Sequence, residues 1–243
     1  MAGTATERDT DPADTREREL KYVLPAGRVP FAERWLAAVC RPDPNYGRAD
    51  VWTVYYDTAE QRSLREKINS DYLKTKLRVR WYAAPGGAAA GDAFLEVKRR
   101  VGDRREKIRM VLDGVASDLA GRPLDDRLWR ELPGRLAPAG VALQGVWQPV
   151  LAIVYRRSRF VDAASGARVS CDSGIRAAAV RGGVLPGWHG APLPVGVVEV
   201  KGRSEELPVN LRALVRFDAR LSAFSKYAAV WAHMQPPAAR AHA

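Results

Sequence analysis

Residues 71–82 read DYLKTKLRVRWY, and this stretch constrains the fold more than any other. Successive side chains of a β-strand point to opposite faces. Lys74, Lys76, Arg78 and Arg80 therefore share one face, and Leu77, Val79 and Trp81 share the other. The apolar face must be covered, and the row of four cations must meet water or an anion. The alternation returns along the chain. Glu17, Glu19 and Lys21 share a face of a strand expected over 16–24, and Glu96 and Lys98 share one over 93–101. Lys107 and Arg109 do so over 104–112, Arg157 and Arg159 over 149–161, and Glu199 and Lys201 over 194–201. Arg168 opens a strand over 168–172, and 51–56 supplies another. Period two in all of these predicts strands with different chemistry on each face.

Helical spacing is predicted over 30–40, where Phe31, Leu36 and Val39 fall near one face, and over 125–136, 209–221 and 222–233. Such helices would cover the apolar strand faces. The expected fold is α+β: a closed antiparallel β-barrel of about eight strands, a tunnel, with helices packed outside and at the ends. Residues 85–91 read as a hairpin loop and 182–192 as a second loop rich in Gly and Pro. Residues 1–15, with Glu7, Asp9, Asp11 and Asp14 against Arg8, read as a disordered acidic leader. Residues 16–234 read as one domain and 235–243 as a flexible tail. No apolar segment resembles an export signal or approaches the roughly 20 residues that span a bilayer, so a cytoplasmic protein without a membrane span is expected. Cys40 and Cys171 stand far apart and outside any CxxC pair, which points to neither a disulfide framework nor a zinc site.

The charge balance narrows the function. With 39 Lys and Arg against 28 Asp and Glu, the chain carries +11, and the acidic leader concentrates the basic excess in the folded part. An anionic partner follows. If helices cover the outside of the sheet, the charged faces line its centre. Two unit charges about 4 Å apart repel by about 4 kcal/mol at an effective dielectric of 20, so such an interior requires a dense anion. A chain of phosphates fits, because Arg offers a planar fork and Lys a compact charge on a flexible stem. Duplex nucleic acid does not, since it is read by outer surfaces. Glu17 and Glu19, two apart on one face, with Glu199 as a third, suit Mg²⁺ or Mn²⁺ held jointly by carboxylates and substrate phosphates. Glu96, among cations, is open to either ion pairing or metal binding. There is no phosphate-cradling GxxxxGK[ST] loop, no GxSxG elbow and no HExxH helix, and His189, His233 and His242 have no evident catalytic partner.

Seven ordered segments extend these features: VYYDT (54–58), KLRVRWY (76–82), FLEVK (94–98), YRRSRF (155–160), RVSCD (168–172), VEVK (198–201) and SAFSKY (222–227). With Glu17, Glu19 and Lys21 in an ExExK pattern, they resemble the VTC domain of the CYTH-like, triphosphate tunnel metalloenzyme superfamily, from about residue 16 to residue 231. The resemblance implies a polyphosphate polymerase: an eight-stranded tunnel that moves the γ-phosphate of ATP onto a growing inorganic polyphosphate chain and releases ADP, with manganese or a similar divalent ion. It implies that the family's cations fall on Lys21, Arg78, Arg80, Lys98, Lys107, Arg157, Arg168, Lys201 and Lys226, and its metal-binding glutamate on Glu199. Strand parity agrees for each except Lys226, which rests on the resemblance alone, and adds Lys76, Arg109 and Arg159. The expected catalytic set is thus Lys21, Arg78, Arg80, Lys98, Arg157 and Lys201. The expected substrate-binding set is Lys76, Lys107, Arg109, Arg159, Arg168 and Lys226, and the expected metal set is Glu17, Glu19, Glu199 and Glu96. A basic residue that some members carry three positions before the final lysine is Ala223 here. ATP and inorganic polyphosphate or triphosphate are the expected partners, with no nucleic acid; oligomeric state is left open. Two rivals remain: a triphosphatase with the same glutamates and water as acceptor, and a module that binds polyphosphate without chemistry. A nucleotide cyclase of the same superfamily is a more distant third.

Overall fold

The structure, a computed structural model, describes residues 6–9, 17–102, 104–182 and 190–235. Among them eleven strands form one antiparallel sheet. They are β1 (Thr6–Asp9), β2 (Arg18–Pro25), β3 (Arg41–Pro42), β4 (Arg48–Asp57), β5 (Leu73–Ala83), β6 (Ala89–Val101), β7 (Arg104–Leu112), β8 (Gln148–Val161), β9 (Arg168–Val180), β10 (Val195–Gly202) and β11 (Arg220–Leu221). Their spatial order is β1-β7-β6-β5-β4-β8-β9-β10-β2-β11, with β3 beside β8. The helices are α1 (Val29–Val39), α2 (Arg62–Ile68), α3 (Ala116–Ala120), α4 (Arg127–Glu131) and α5 (Lys226–Met234). Two 3-10 segments, Leu132–Ala139 and Val209–Phe217, extend the helical cover.

The expected closed barrel of about eight strands is corrected: the sheet is open. Its order ends on β1 at one side and β11 at the other, and no pairing joins these ends among the described residues. The reason lies at the edges. Thr6 to Asp9 pair with β7 opposite Met110 to Lys107, and Arg220 and Leu221 pair with Val23 and Tyr22 of β2. Each long edge strand is thus partly covered by a short one, which occupies edge that the other long strand would need for closure. The leader expected over 1–15 lies outside the described residues apart from Thr6–Asp9, the tail from 236 onward lies outside them, and so does most of the 182–192 loop.

The alternation of β5 sorts as its residues dictate. Leu77, Val79 and Trp81 are buried in one apolar cluster with Leu95 and Val97 of β6, Ile108 and Met110 of β7, and the covering residues Leu119, Trp129, Leu132 and Leu136. A second outer cluster packs Val169 and Cys171 of β9 and Val198 and Val200 of β10 under Val29, Ala32 and Leu36 of α1 and Leu211 and Leu214. Gly196 permits this approach, because a Cβ there would lie 2.4 Å from Val29 Cγ2 and 2.8 Å from the Asp172 carbonyl oxygen. A third cluster forms on the opposite, concave face, where Tyr227, Val230, Trp231 and Met234 of α5 and Leu64 of α2 pack on Tyr55, Ile153, Ile175 and Val197. Helices therefore cover both wings of the outer face, and α5 with α2 fills one end of the concave face. What remains of that face is an open trough.

Candidate anion site in the trough

Cross-strand register collects the charged residues into rows. On one wall Arg78, Glu96 and Arg109 lie side by side, then Lys76, Lys98 and Lys107, then Lys74 opposite Arg100. On the other wall Arg157 stands opposite Asp172, and Glu199 opposite Ser170 on one side and Lys21 on the other. Lys201 lies between Arg168 and Glu19. The walls are far apart in sheet order, yet their charges meet across the trough. The ammonium of Lys98 is influenced by Lys201 and Glu19, and that of Lys76 by Lys21 and Glu19. The sheet is thus curled although unclosed.

Two buried carboxylate hubs organise the cations. Glu96, 1% exposed, receives Arg78 at 2.6 Å through Nη2 and 2.7 Å through Nε, and Arg109 at 2.8 and 2.9 Å. Burial opposes its ionisation, but Arg78, Arg80 and Arg109 prevail and hold the carboxyl well below the usual carboxylate range. Both Glu96 oxygens are occupied by arginines, so the geometry favours ion pairing there. The second hub is Asp172, fully buried, which takes a bidentate Arg157 at 2.6 and 2.7 Å and the Lys226 ammonium at 2.6 Å. Glu199 adds Lys226 at 2.8 Å and Arg157 at 3.1 Å. Burial disfavours the Glu199 anion, yet Lys226 and Arg157 keep its carboxyl well below the usual range. The Tyr155 ring lies 4.9 Å from Lys226 Nζ and 5.4 Å from the Arg157 guanidinium carbon, completing the cluster.

Other cations of the trough lack such partners. Lys76, Lys98 and Lys201 form no ion pair among the described residues. Burial, then the charges of Lys21 and Lys67, bring Lys76 down to about 8, and Arg78, then burial, then Lys201 push Lys98 well below the usual ammonium range. Arg80, 7% exposed, donates from Nε to Thr53 Oγ1 at 3.1 Å. Lys21 reaches the Phe224 carbonyl at 3.4 Å and the Glu19 carboxylate at 3.4 Å. Arg159 lies over the Tyr82 and Tyr46 rings at 5.2 and 5.5 Å.

The four glutamates of the expected metal set do not converge. Among the described residues no group of three or more His, Cys, Asp or Glu side chains could hold a metal ion. Glu17 is taken by Arg168 at 2.5 Å and Glu96 by its arginines. Glu19 and Glu199 lie diagonally on one face of the paired strands β2 and β10, and the Glu199 charge opposes ionisation of Glu19. Among the described residues Glu19 is ion-paired with Lys21 alone, at 3.4 Å, whereas both Glu199 oxygens accept from Lys226 and Arg157, so a Mg²⁺ completed by substrate phosphates would fit this pair by displacing one of those cations from Glu199.

Two participants escaped the sequence reading. Asp172 shares strand parity with Arg168, and that signal would have found it. Lys67 sits on α2, a seven-residue helix that periodicity does not reveal. Burial, then Lys74 and Lys21, lower its pKa, which places it at the trough.

A curled antiparallel sheet with helices outside and a cation-rich concave face defines an anion-binding protein. The chain belongs to the VTC domain family, whose model matches residues 16–235. No curated protein sequence matches it. Among solved structures, a candidate adenylate cyclase from Bacillus halodurans is similar over 87% of this chain and 94% of that one, at 12% identity and a TM-score of 0.50. One from Vibrio parahaemolyticus covers 87% and 95% at 14% identity with a TM-score of 0.44. A Hippeastrum protein, named as a candidate adenylyl cyclase and described as having a dominant triphosphatase activity, covers 91% and 98% at 17% identity with a TM-score of 0.42. At such identities the Bacillus halodurans likeness concerns the fold alone. No described helix is long and apolar enough to cross a membrane.

Proposed function

We propose that this chain is a polyphosphate polymerase that transfers the γ-phosphate of ATP to the end of an inorganic polyphosphate chain. The observation that carries the reading is the set of trough cations that form no ion pair among the described residues, Lys76, Lys98 and Lys201, beside Glu19 and Glu199 on one face of β2 and β10, in a chain of the VTC domain family. Neighbouring cations and burial depress the protonation of Lys76 and Lys98; a polyanion stabilises such groups, and a row of cations suits a repeating one. In the reaction a terminal oxygen of the chain bonds to the γ-phosphorus, the bond from that phosphorus to the β-γ bridging oxygen breaks, and ADP leaves with the electron pair. Lys76, Lys98 and Lys201 bind the nonbridging oxygens, and Arg78, Arg109 and Arg157, held rigid by Glu96 and Asp172, keep donor and acceptor in line. Glu19 and Glu199 would hold Mg²⁺ or Mn²⁺ together with the phosphates. When bound, such an ion neutralises charge on the transferred group.

The test is the product formed from ATP and Mn²⁺. Acid-labile polymer together with ADP is the expected outcome. Orthophosphate from tripolyphosphate without polymer, cyclic AMP, or binding without turnover would each overturn the polymerase reading and identify a rival. In the same assay Glu199→Gln should lower turnover on the order of 100-fold. Tripolyphosphate should bind that variant at least as tightly, because one negative charge has left the trough. Unchanged turnover would remove Glu199 from the mechanism.

A further inference from the structure

The cationic rows do not stop where the expected catalytic and substrate-binding residues stop. Beyond Lys76 and Lys98 the same concave face carries Lys74 opposite Arg100. Two residues of a strand span roughly 7 Å, so this outer row lies that far from the inner one. A helix docks beside it. The Thr75 amide, between Lys74 and Lys76, donates to Glu66 Oε2 at 2.7 Å, which docks α2 along the start of β5. Lys67 follows Glu66 and is brought beside Lys74. Arg100 donates from Nε to the Gly102 carbonyl at 2.6 Å, a contact that steadies the fork without neutralising it. Lys67, Lys74 and Arg100 form no ion pair among the described residues. The charges of Lys74 and Lys21 both act on Lys67, which marks the three as one group.

We infer that Lys74 and Arg100, with Lys67 beside Lys74, form an outer phosphate-binding row that grips the part of a long inorganic polyphosphate chain lying beyond the central trough. The inference rests on the reading of the trough as a polyphosphate site and adds to it a preference for long chains over short ones. A triphosphate is short enough for the inner rows alone, whereas a long chain runs on over the outer one. Charge density decides the ligand class: three neighbouring cations, Lys67 and Lys74 half-buried and Arg100 exposed, are best matched by an anion with a charge on every repeat.

The experiment measures dissociation constants for tripolyphosphate and for long-chain inorganic polyphosphate in the full chain and in Lys74→Gln, Arg100→Gln and the double variant. Two screened contacts together are worth about tenfold in affinity. The double variant should therefore bind the long chain about tenfold more weakly and tripolyphosphate less than about twofold more weakly. Its long-chain affinity should also depend less steeply on salt. Equal weakening for the two ligands would overturn the outer row, and so would unchanged long-chain affinity. Tripolyphosphate binding and the melting temperature verify that the variants fold. If the unmodified chain bound neither ligand, the central site itself would fall, an outcome distinct from failure of the outer row.

Discussion

The Lys76 ammonium lies half-buried beside Lys21, Lys67 and Arg78, and its pKa falls to about 8. In the unfolded chain it returns to the ordinary value near 10.4. Below about pH 8 both states are protonated and the native state bears the whole cost; the cost fades as pH rises from about 8 to the unfolded value. Lys76→Met should therefore raise the melting temperature of the anion-free protein at pH 7, with the gain shrinking toward pH 10. A bound phosphate chain reverses the sign for this group by favouring the ammonium. Binding near pH 8 should take up protons, and affinity should drop between pH 7 and 9. Calorimetry in two buffers of different ionisation enthalpy reads the uptake, and a value that Lys76→Met leaves unchanged would show that Lys76 is not its source. Strand parity put Lys76 on the charged face but said nothing of its missing counter-ion. That depends on Glu96 lying beside Arg78 and Arg109, a matter of register.

Helix α2 shows where the sequence falls silent at the scale of elements. Its N-cap, Gln61, has φ of 56° and no capping side chain of its own. The open amides of Ser63 and Leu64 instead donate to the Asp57 carboxylate at 2.7 and 3.1 Å, and Tyr227 of α5 donates its hydroxyl to the same group at 2.9 Å. A cap supplied from the end of the preceding strand lies outside any helical window, so the periodicity that predicts α1 does not predict α2. α5 was legible, with Ser225 accepting from the Ala228 amide at its start. The expected helix over 209–221 is a 3-10 segment that yields to β11, because Asp218 in the left-handed region ends it. Asp57 ties α2 to α5, its carboxylate accepting from three amides and the Tyr227 hydroxyl and forming no ion pair among the described residues. Tyr227→Phe should cost about 1 kcal/mol and Asp57→Ala about 3 kcal/mol, since the latter strands buried donors. Urea unfolding gives these values, and amide exchange over 62–68 should accelerate in both variants. Protection unchanged in Asp57→Ala would show that α2 is held by its apolar contacts alone.

For the whole molecule the relevant quantity is the uncompensated positive charge gathered by the curl. Lowering ionic strength from 0.15 M to 0.01 M lengthens screening from about 8 Å to about 30 Å, so the anion-free protein should melt lower in dilute salt. Tripolyphosphate at about 100 times its dissociation constant should stabilise the native state by about 2.7 kcal/mol, or about 5–10 °C for a chain of this size. A ligand-induced shift that grows with added salt, or no shift at all, would count against electrostatic binding in the trough. By itself the sequence determined which side chains share a strand face, because that parity is set by backbone geometry within a few residues. It also determined, through its ordered segments, the family. Only the tertiary structure decided that the sheet stays open, since this depends on short strands from both ends of the chain occupying the edges of β7 and β2. It alone decided which cations are neutralised, because Arg157, Asp172, Glu199 and Lys226 meet only when β8, β9, β10 and α5 assemble. Local geometry aims a charge, and long-range register chooses its partner.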